Sequence, residues 1–373
     1  MRCGINARWQ RGVFTAISAL VLLGAACGDR RGTAPPGPGA AAPPPAQGAV
    51  SPSPPPTSST PSALQPVRIA FAGPSPSVVP LWLAQAEGLF QQHGLTAEVF
   101  TTQGGSRGLQ VLVSGEIDAM HVGLFPTVQA VAGGAGVRMM VADANRIPFI
   151  LFAAPDIQAP ADLRDKRIGI SSFASESDSA VTLALRELGL RREDVTVLQI
   201  GGAGERLTAV QSGHVQAVPL PAPVTVQAEK LGLRPLLNLA ERDVPWIFDG
   251  LVVSQAALQH DRDKLKRLLR AYLEGGHRGL QAPDKARAVI GQQFKTEDPE
   301  AIEAAYRDFA RLFIPDGRPD PAGIRNVLRE VAASDSSAQA VRPEDVVDTS
   351  LLDELARDGF FQRLGVAAGP VGR

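Results

Sequence analysis

The side chains of this chain that could do chemistry are few, and they gather just after short apolar runs. Ser171-Ser172-Phe173-Ala174-Ser175-Glu176-Ser177-Asp178 leads from a strand-like run into a helix. Its hydroxyls and carboxylates can hydrogen-bond a polar ligand, or they can cap the helix, since Ser175 and Asp178 have capping-box spacing. Gly73-Pro74-Ser75-Pro76-Ser77-Val78-Val79-Pro80 offers free backbone N–H groups and the Ser75 and Ser77 hydroxyls in a turn before a second helix. Gly104-Gly105-Ser106-Arg107 gives donors without side-chain cover, at Gly105 and Ser106, with a cation beside them. In His121-Val122-Gly123-Leu124-Phe125-Pro126-Thr127, His121 and Thr127 are donors and Phe125 is a ring to stack on. Pro219-Leu220-Pro221-Ala222-Pro223 is a stiff wall in which Pro221 supplies shape rather than hydrogen bonds. This is the chemistry of reversible recognition. Position by position, each group also reads as part of a rigid turn or cap.

Covalent chemistry lacks its parts. Cys3 and Cys27 are the only cysteines and both precede the globular region, which excludes disulfides, thiolate metal sites and a cysteine nucleophile from the folded part. His93, His121, His214, His260 and His277 are scattered without metal-ligand spacing. No catalytic residue, no metal and no cofactor is expected. With 37 basic against 38 acidic residues and no charge run, the chain also lacks the footprint of a nucleic-acid binder. At 44% hydrophobic and 20% charged, it can bury a full core.

The elements that must position these groups alternate. Val67–Phe71, Ala97–Phe100, Arg167–Ile170 and Val195–Leu198 are short apolar strands, each followed by a helical stretch, the pattern of βαβ units on largely parallel sheets. The fold class is α/β. A return strand at Leu251–Ser254 precedes helices expected over Asp263–Gly276, Pro283–Gln293, Pro299–Leu312 and Pro321–Ala333. Leu109-Gln110-Val111-Leu112-Val113-Ser114-Gly115-Glu116-Ile117-Asp118-Ala119 also aligns with Leu207-Thr208-Ala209-Val210-Gln211-Ser212-Gly213-His214-Val215-Gln216-Ala217. In both copies a helix ends in Ser-Gly and a short strand follows. The same unit is built twice, which predicts two similar lobes with glycine turns lining a cleft between them.

The N-terminal region reads as an address. Arg2, Arg8 and Arg11 precede an apolar run, Val13–Ala26, with the length of a signal-peptide core. Leu22-Leu23-Gly24-Ala25-Ala26-Cys27 resembles a bacterial lipobox, with Gly24 where leucine is preferred, and this implies a signal peptide over 1–27 and lipidation (palmitate) at Cys27. Residues 28–66, rich in Pro, Ala, Gly and Ser, are expected to form a disordered tether. A secreted protein cut near Ala26 with a simple spacer is the alternative.

Pro80-Leu81-Trp82-Leu83-Ala84-Gln85-Ala86-Glu87-Gly88-Leu89-Phe90, Gly94-Leu95, Leu112–Ala119 and Asp162-Leu163-Arg164-Asp165-Lys166-Arg167-Ile168-Gly169-Ile170 follow one another with a recognisable spacing. In this the chain resembles the solute-binding proteins of ABC importers of the alkanesulfonate, taurine, nitrate and thiamine-pyrimidine-precursor type. The resemblance implies a bilobal periplasmic-binding-protein fold, with 67–156 and 249–365 as lobe one, 157–248 as lobe two, an outward crossing near Ala153–Ala161 and a return near Phe248-Asp249-Gly250. Gly250 suits a hinge. It implies a small-molecule ligand held by Ser75, Ser77, Gly105, Ser106, His121, Thr127, Ser172, Ser175, Glu176, Pro221 and Asp249, an ABC permease as partner, an extracytoplasmic location on a lipid anchor, and a monomer. Synthases and deaminases sharing the fold depend on cysteines this globular part lacks; a binding domain feeding a membrane sensor is the other alternative. Glu176 and Asp178 in a first helical turn would repel an anion. Arg107 in one repeat corresponds to Glu205 in the other, so walls of opposite sign favour a neutral or zwitterionic cargo, such as an amino-substituted heterocycle, over sulfonate or nitrate. Trp246 could cap the cleft, or pack beside the hinge.

Overall fold

The computed structural model describes residues 63–366 apart from 103 and 243, so the expected signal peptide, Cys27 and nearly all of the tether lie outside the described residues. Gln65 and Pro66, expected to end the tether, instead open the first strand. The strands are β1 (Gln65–Phe71), β2 (Leu95–Thr101), β3 (Ala119–Val122), β4 (Val137–Ala144), β5 (Ile150–Ala153), β6 (Arg167–Ile170), β7 (Thr196–Gln199), β8 (Ala217–Leu220), β9 (Arg234–Asn238) and β10 (Asp249–Ser254). They form two five-stranded sheets of order β2-β1-β3-β10-β4 and β7-β6-β8-β5-β9. In each, two parallel pairings flank the first strand, and an antiparallel strand, β10 or β5, is inserted beside the third. The two orders superimpose strand for strand, so the repeat read from sequence is a repeat of topology.

The helices of the first half are α1 (Val79–Ala86), α2 (Leu89–Gln92), α3 (Gly105–Val113), α4 (Leu124–Ala132), α5 (Glu176–Glu187), α6 (Ala203–Gln211) and α7 (Val224–Lys230). Aligned segments 109–119 and 207–217 run from α3 into β3 and from α6 into β8. Each helix stops where its Ser-Gly pair puts glycine in the left-handed region, at φ +80° for Gly115 and +70° for Gly213.

The C-terminal part is helical: α8 (Gln255–His260), α9 (Arg262–Gln281), α10 (Pro283–Phe294), α11 (Pro299–Leu312), α12 (Pro321–Ser334), α13 (Pro343–Val346), α14 (Ser350–Arg357) and α15 (Phe360–Arg363). Its boundaries follow local chemistry. Proline stands in the first turn of α11 and α12, behind the N-caps Asp298 and Asp320, which accept from Glu300 N at 3.0 Å and Ala322 N at 2.8 Å. Among the described residues no helix is long and apolar enough to cross a membrane.

Two crossings differ from expectation. Ile150–Ala153 is β5 of the second sheet, so the chain leaves the first sheet over 145–149, before Ala153–Ala161. The return ends over 244–248, and Asp249 and Gly250 already belong to β10 of the first sheet. Gly250 is therefore not a free hinge. A Cβ there would collide with the Val141 carbonyl, so glycine is required by close approach of β10 to β4 at a register shift. The crossings are themselves packed: Trp246, Ile247 and Phe248 are buried, and Phe149 meets Phe248 edge-on at 5.5 Å between centroids. One apolar cluster runs through them, from Val122 and Val128 in the first lobe to Ile168 and Ala180 in the second.

Candidate functional site

Polar side chains converge where the lobes meet, at the C-terminal ends of β1, β3, β6 and β7. Ser75 caps the short turn Pro76–Val78, and its Oγ lies 2.9 Å from Ser77 Oγ. Ser77 Oγ donates to Asp249 Oδ2 at 2.6 Å, tying the first loop to the first residue of β10. Both are buried. Behind them His121 Nε2 sits 2.6 Å from Asp143 Oδ2, which the Tyr272 hydroxyl also reaches. Burial works against a charged imidazole ring. Asp143, helped by Asp249 and the Ser77 carbonyl, outweighs it and holds the His121 pKa above its ordinary value. His121 is thus an anchored, fully buried ring of lobe one, and its Nε2 is already spent on Asp143.

From the other lobe, Glu176 at the start of α5 reaches across. Its Oε1 accepts from Phe125 N at 3.1 Å, on the first turn of α4. Its Oε2 accepts from Trp246 Nε1 at 3.3 Å and from Ser179 Oγ at 3.4 Å. A Cβ on Gly123 would strike this carboxylate, so that glycine makes its room. The Glu176 charge lies on the positive end of the α4 dipole. Even so, loss of water and the nearby Asp249 charge push its pKa well above the carboxylate range, with Trp246, Phe125 and Ser179 opposing. Asp249 is pushed up to about 6, chiefly by burial, with His121 and Ser77 opposing and the Asp143 charge adding to the rise. Among the described residues neither Glu176 nor Asp249 forms an ion pair. Phe125 and Trp246 stack beside them, 6.4 Å between centroids and 25° between planes. The junction is therefore an acid pair, one carboxylate from each lobe, with an aromatic pair at its side.

Further contacts join the lobes. Ser106 Oγ donates to the Ala174 carbonyl at 3.3 Å, and Ser172 Oγ, buried without a partner among the described residues, faces Gly104. Lys230 pairs with Asp298 at 2.6 Å and Glu300 at 3.0 Å, and Arg186 with Glu330 at 2.7 Å. Pro221 is buried, and its neighbour Ala222 packs into the core of lobe one.

Not every expected residue faces this junction with a free group. Thr127 is fully buried and its hydroxyl donates to Gly123 O at 2.7 Å within α4. Gly105 packs on Val122, where a Cβ would not fit comfortably. Ser175 is the N-cap of α5 and donates to Ser172 O at 2.7 Å. Asp178 turns back to Ala174 N and to Arg192, so of the two first-turn acids only Glu176 faces the junction. Arg107 and Glu205 are both exposed, and Glu205 accepts from Gly202 N at 2.7 Å at its own helix start. The expected walls of opposite sign are thus not built from that pair.

Sequence reading missed Asp143, Tyr272 and Arg206. Asp143 had a signal: it is the lone acid in the apolar run Met139-Met140-Val141-Ala142-Asp143-Ala144, and a charge in a buried strand needs a partner. Open depressions of about 400 Å³ beside α4 and about 610 Å³ between α6 and α7 lie on outer surfaces, and none of their charged lining residues is buried.

The NMT1/THI5-like family model matches residues 75–286, which run from the Ser75 loop into the first turn of α10 and include Ser77, His121, Glu176, Trp246 and Asp249. The chain belongs to the NMT1/THI5-like family. It is similar to the riboflavin-binding protein RibY of Chloroflexus aurantiacus, 27% identical over 285 residues, 74% of this chain and 76% of that protein. A solved structure from Bordetella bronchiseptica RB50 superimposes with a TM-score of 0.71 at 22% identity, covering 79% of this chain and 97% of that one. The alkanesulfonate-binding protein SsuA of Xanthomonas axonopodis pv. citri, solved with MOPS, does so with a TM-score of 0.63 at 19% identity, over 78% and 98%. At these identities the structures establish the fold: the NMT1/THI5-like chain has the bilobal periplasmic-binding-protein architecture.

Proposed function

We propose that this chain is an extracytoplasmic solute-binding protein that captures a small polar molecule between its two lobes and delivers it to an ABC importer. The observation that carries the reading is the acid pair Glu176 and Asp249, contributed from opposite lobes, in which Glu176 accepts from Phe125 N of the first lobe and from Trp246 Nε1 of the return crossing. A group that bridges lobes only when they are together is what a closing binding protein needs. The crossings at 145–149 and 244–248 are the segments about which the lobes would rotate. The riboflavin-binding relative and the sulfonate-binding structural neighbour support capture rather than turnover.

The cargo is neutral or zwitterionic. Glu176 and Asp249 present oxygens that accept from N–H donors, and the ionised fraction of Asp249 opposes a simple anion, while Phe125 and Trp246 suit a planar ring. The protein works as a monomer on a lipid anchor at Cys27, and it does not transform its ligand. Calorimetric titration with riboflavin, taurine, an alkanesulfonate and a hydroxymethylpyrimidine, with mass spectrometry of copurifying molecules, tests the reading. Binding of a ring compound recovered unchanged supports it; a protein that binds none of the panel and carries no small molecule overturns it. Palmitate labelling tests the anchor: label on wild type and none on Cys27→Ala is expected, and continued labelling of the variant refutes lipidation there.

A further inference from the structure

Arg206 stands out among the charged side chains of the second lobe. It is 3% exposed, in α6 at the edge of the second sheet that meets lobe one. Its Nη1 donates to Gly201 O at 3.2 Å, just past β7, and its guanidinium lies 6.0 Å from the centroid of Phe149 in the outward crossing. Phe149 packs on Phe248, the neighbour of Asp249, so the arginine belongs to the same edge as the acid pair. Its Nε is buried without a partner among the described residues, and no carboxylate pairs with it. Adjacent Glu205 is exposed and committed to Gly202 N. A guanidinium has five N–H donors, and a buried cation with one carbonyl bond is costly to keep.

The internal repeat shows that packing does not require it. The position of lobe one equivalent to Arg206 is Gly108, where a Cβ would collide with Met120. The same helix–strand unit is therefore built with no side chain at all in one lobe and with a buried arginine in the other. Lost water pulls its pKa down to about 10, still charged at neutral pH, so its needs stay those of a cation.

We infer that Arg206 is a ligand-recognition residue that receives an acceptor group of the cargo, a ring carbonyl or a carboxylate, while Glu176 and Asp249 take its N–H donors. The assignment rests on the reading of the inter-lobe junction as the binding site and narrows it to planar molecules that carry both acceptors and N–H donors. Phe149 supplies a flat surface that holds the guanidinium in plane for such a contact.

The test uses the full chain, unfolded and refolded to strip carried molecules, as wild type, Arg206→Met and Arg206→Lys. Riboflavin, which carries ring carbonyls beside an imide N–H, is the probe, followed by quenching of its fluorescence. The proposal expects ligand-free Arg206→Met to melt at the wild-type temperature or about 2–4 °C above it, because an unpaired buried charge has been replaced by an apolar chain of similar length. It expects that variant to bind riboflavin at least tenfold more weakly, with Arg206→Lys in between. Melting several degrees below wild type would make Arg206 a structural prop and overturn the assignment. Unchanged riboflavin affinity in Arg206→Met would overturn it while leaving the binding-protein reading intact. A wild type that binds neither riboflavin nor any other member of the titration panel removes that reading, and the assignment with it.

Discussion

The two lobes share one strand order, yet they treat buried polarity differently. In lobe one, Ser77 is bonded to Asp249, and His121 and Tyr272 converge on Asp143, a network assembled within the lobe from five separate elements. In lobe two, Glu176 finds its donors mainly across the junction, Ser172 Oγ has no partner among the described residues, and Arg206 has one. Lobe one bonds its buried acids within itself, although Asp143 Oδ1 is left without a partner among the described residues, whereas Glu176 of lobe two reaches a donor across the junction. A duplicated architecture thus carries two different arrangements of buried polar groups.

This difference can be broken from the lobe-one side. Gly250→Ala drives a methyl into the Val141 carbonyl and must pry β10 from β4, with an expected loss of about 4 kcal/mol in thermal or urea unfolding. In lobe two, Gly204→Ala at the exposed start of α6 meets nothing within 4 Å, and it should stabilise by about 0.5–1 kcal/mol. Equal effects at the two glycines would contradict the claim that only the first is fixed by close packing.

A smaller effect sharpens the account of the acid pair. The folded-state pKa of Asp249, about 6, lies above its ordinary value of 3.8, so protonation favours the fold. That stabilisation is complete below the ordinary value and is lost as pH rises through about 6. At pH 8 the ionised carboxylate costs about 3 kcal/mol, from roughly two units at ~1.4 kcal/mol each. Asp249→Asn should therefore raise the ligand-free melting temperature at pH 8, leave it near wild type at pH 4, and flatten the profile between. A variant that is destabilised at pH 8 would show the carboxylate to be a structural acceptor instead. Smaller again, Tyr272→Phe removes one donor from Asp143 and should cost about 2 kcal/mol. Its ligand affinity should stay within a factor of two of wild type, because the hydroxyl works inside lobe one.

Much of the fold was legible because its signals are local. The Asp-Pro starts of α11 and α12, the Ser-Gly ends of α3 and α6, and the alternation of short strands with helices each report nearby physics. The crossing was misplaced because Ile147–Ala153 is an unbroken apolar stretch, and only long-range pairing with β8 and β9 divides crossing from strand. Glu176 was found from its first-turn position. Arg206 was passed over for Arg107 and Glu205, which the repeat aligned. Successive helix residues point about 100° apart, so a single step separates an exposed acid from a buried arginine. Asp143 and Tyr272 meet across 129 residues of sequence, a contact that no local pattern carries.

The central claim is that the junction selects N–H donors through Glu176 and Asp249. Calorimetric titration of wild type and Glu176→Ala with riboflavin and with an alkanesulfonate tests it most directly. The account predicts that wild type binds the neutral ring and that affinity falls at least tenfold in the variant. The sulfonate should bind wild type more weakly than riboflavin does. Tight sulfonate binding by wild type that is indifferent to Glu176 would contradict it.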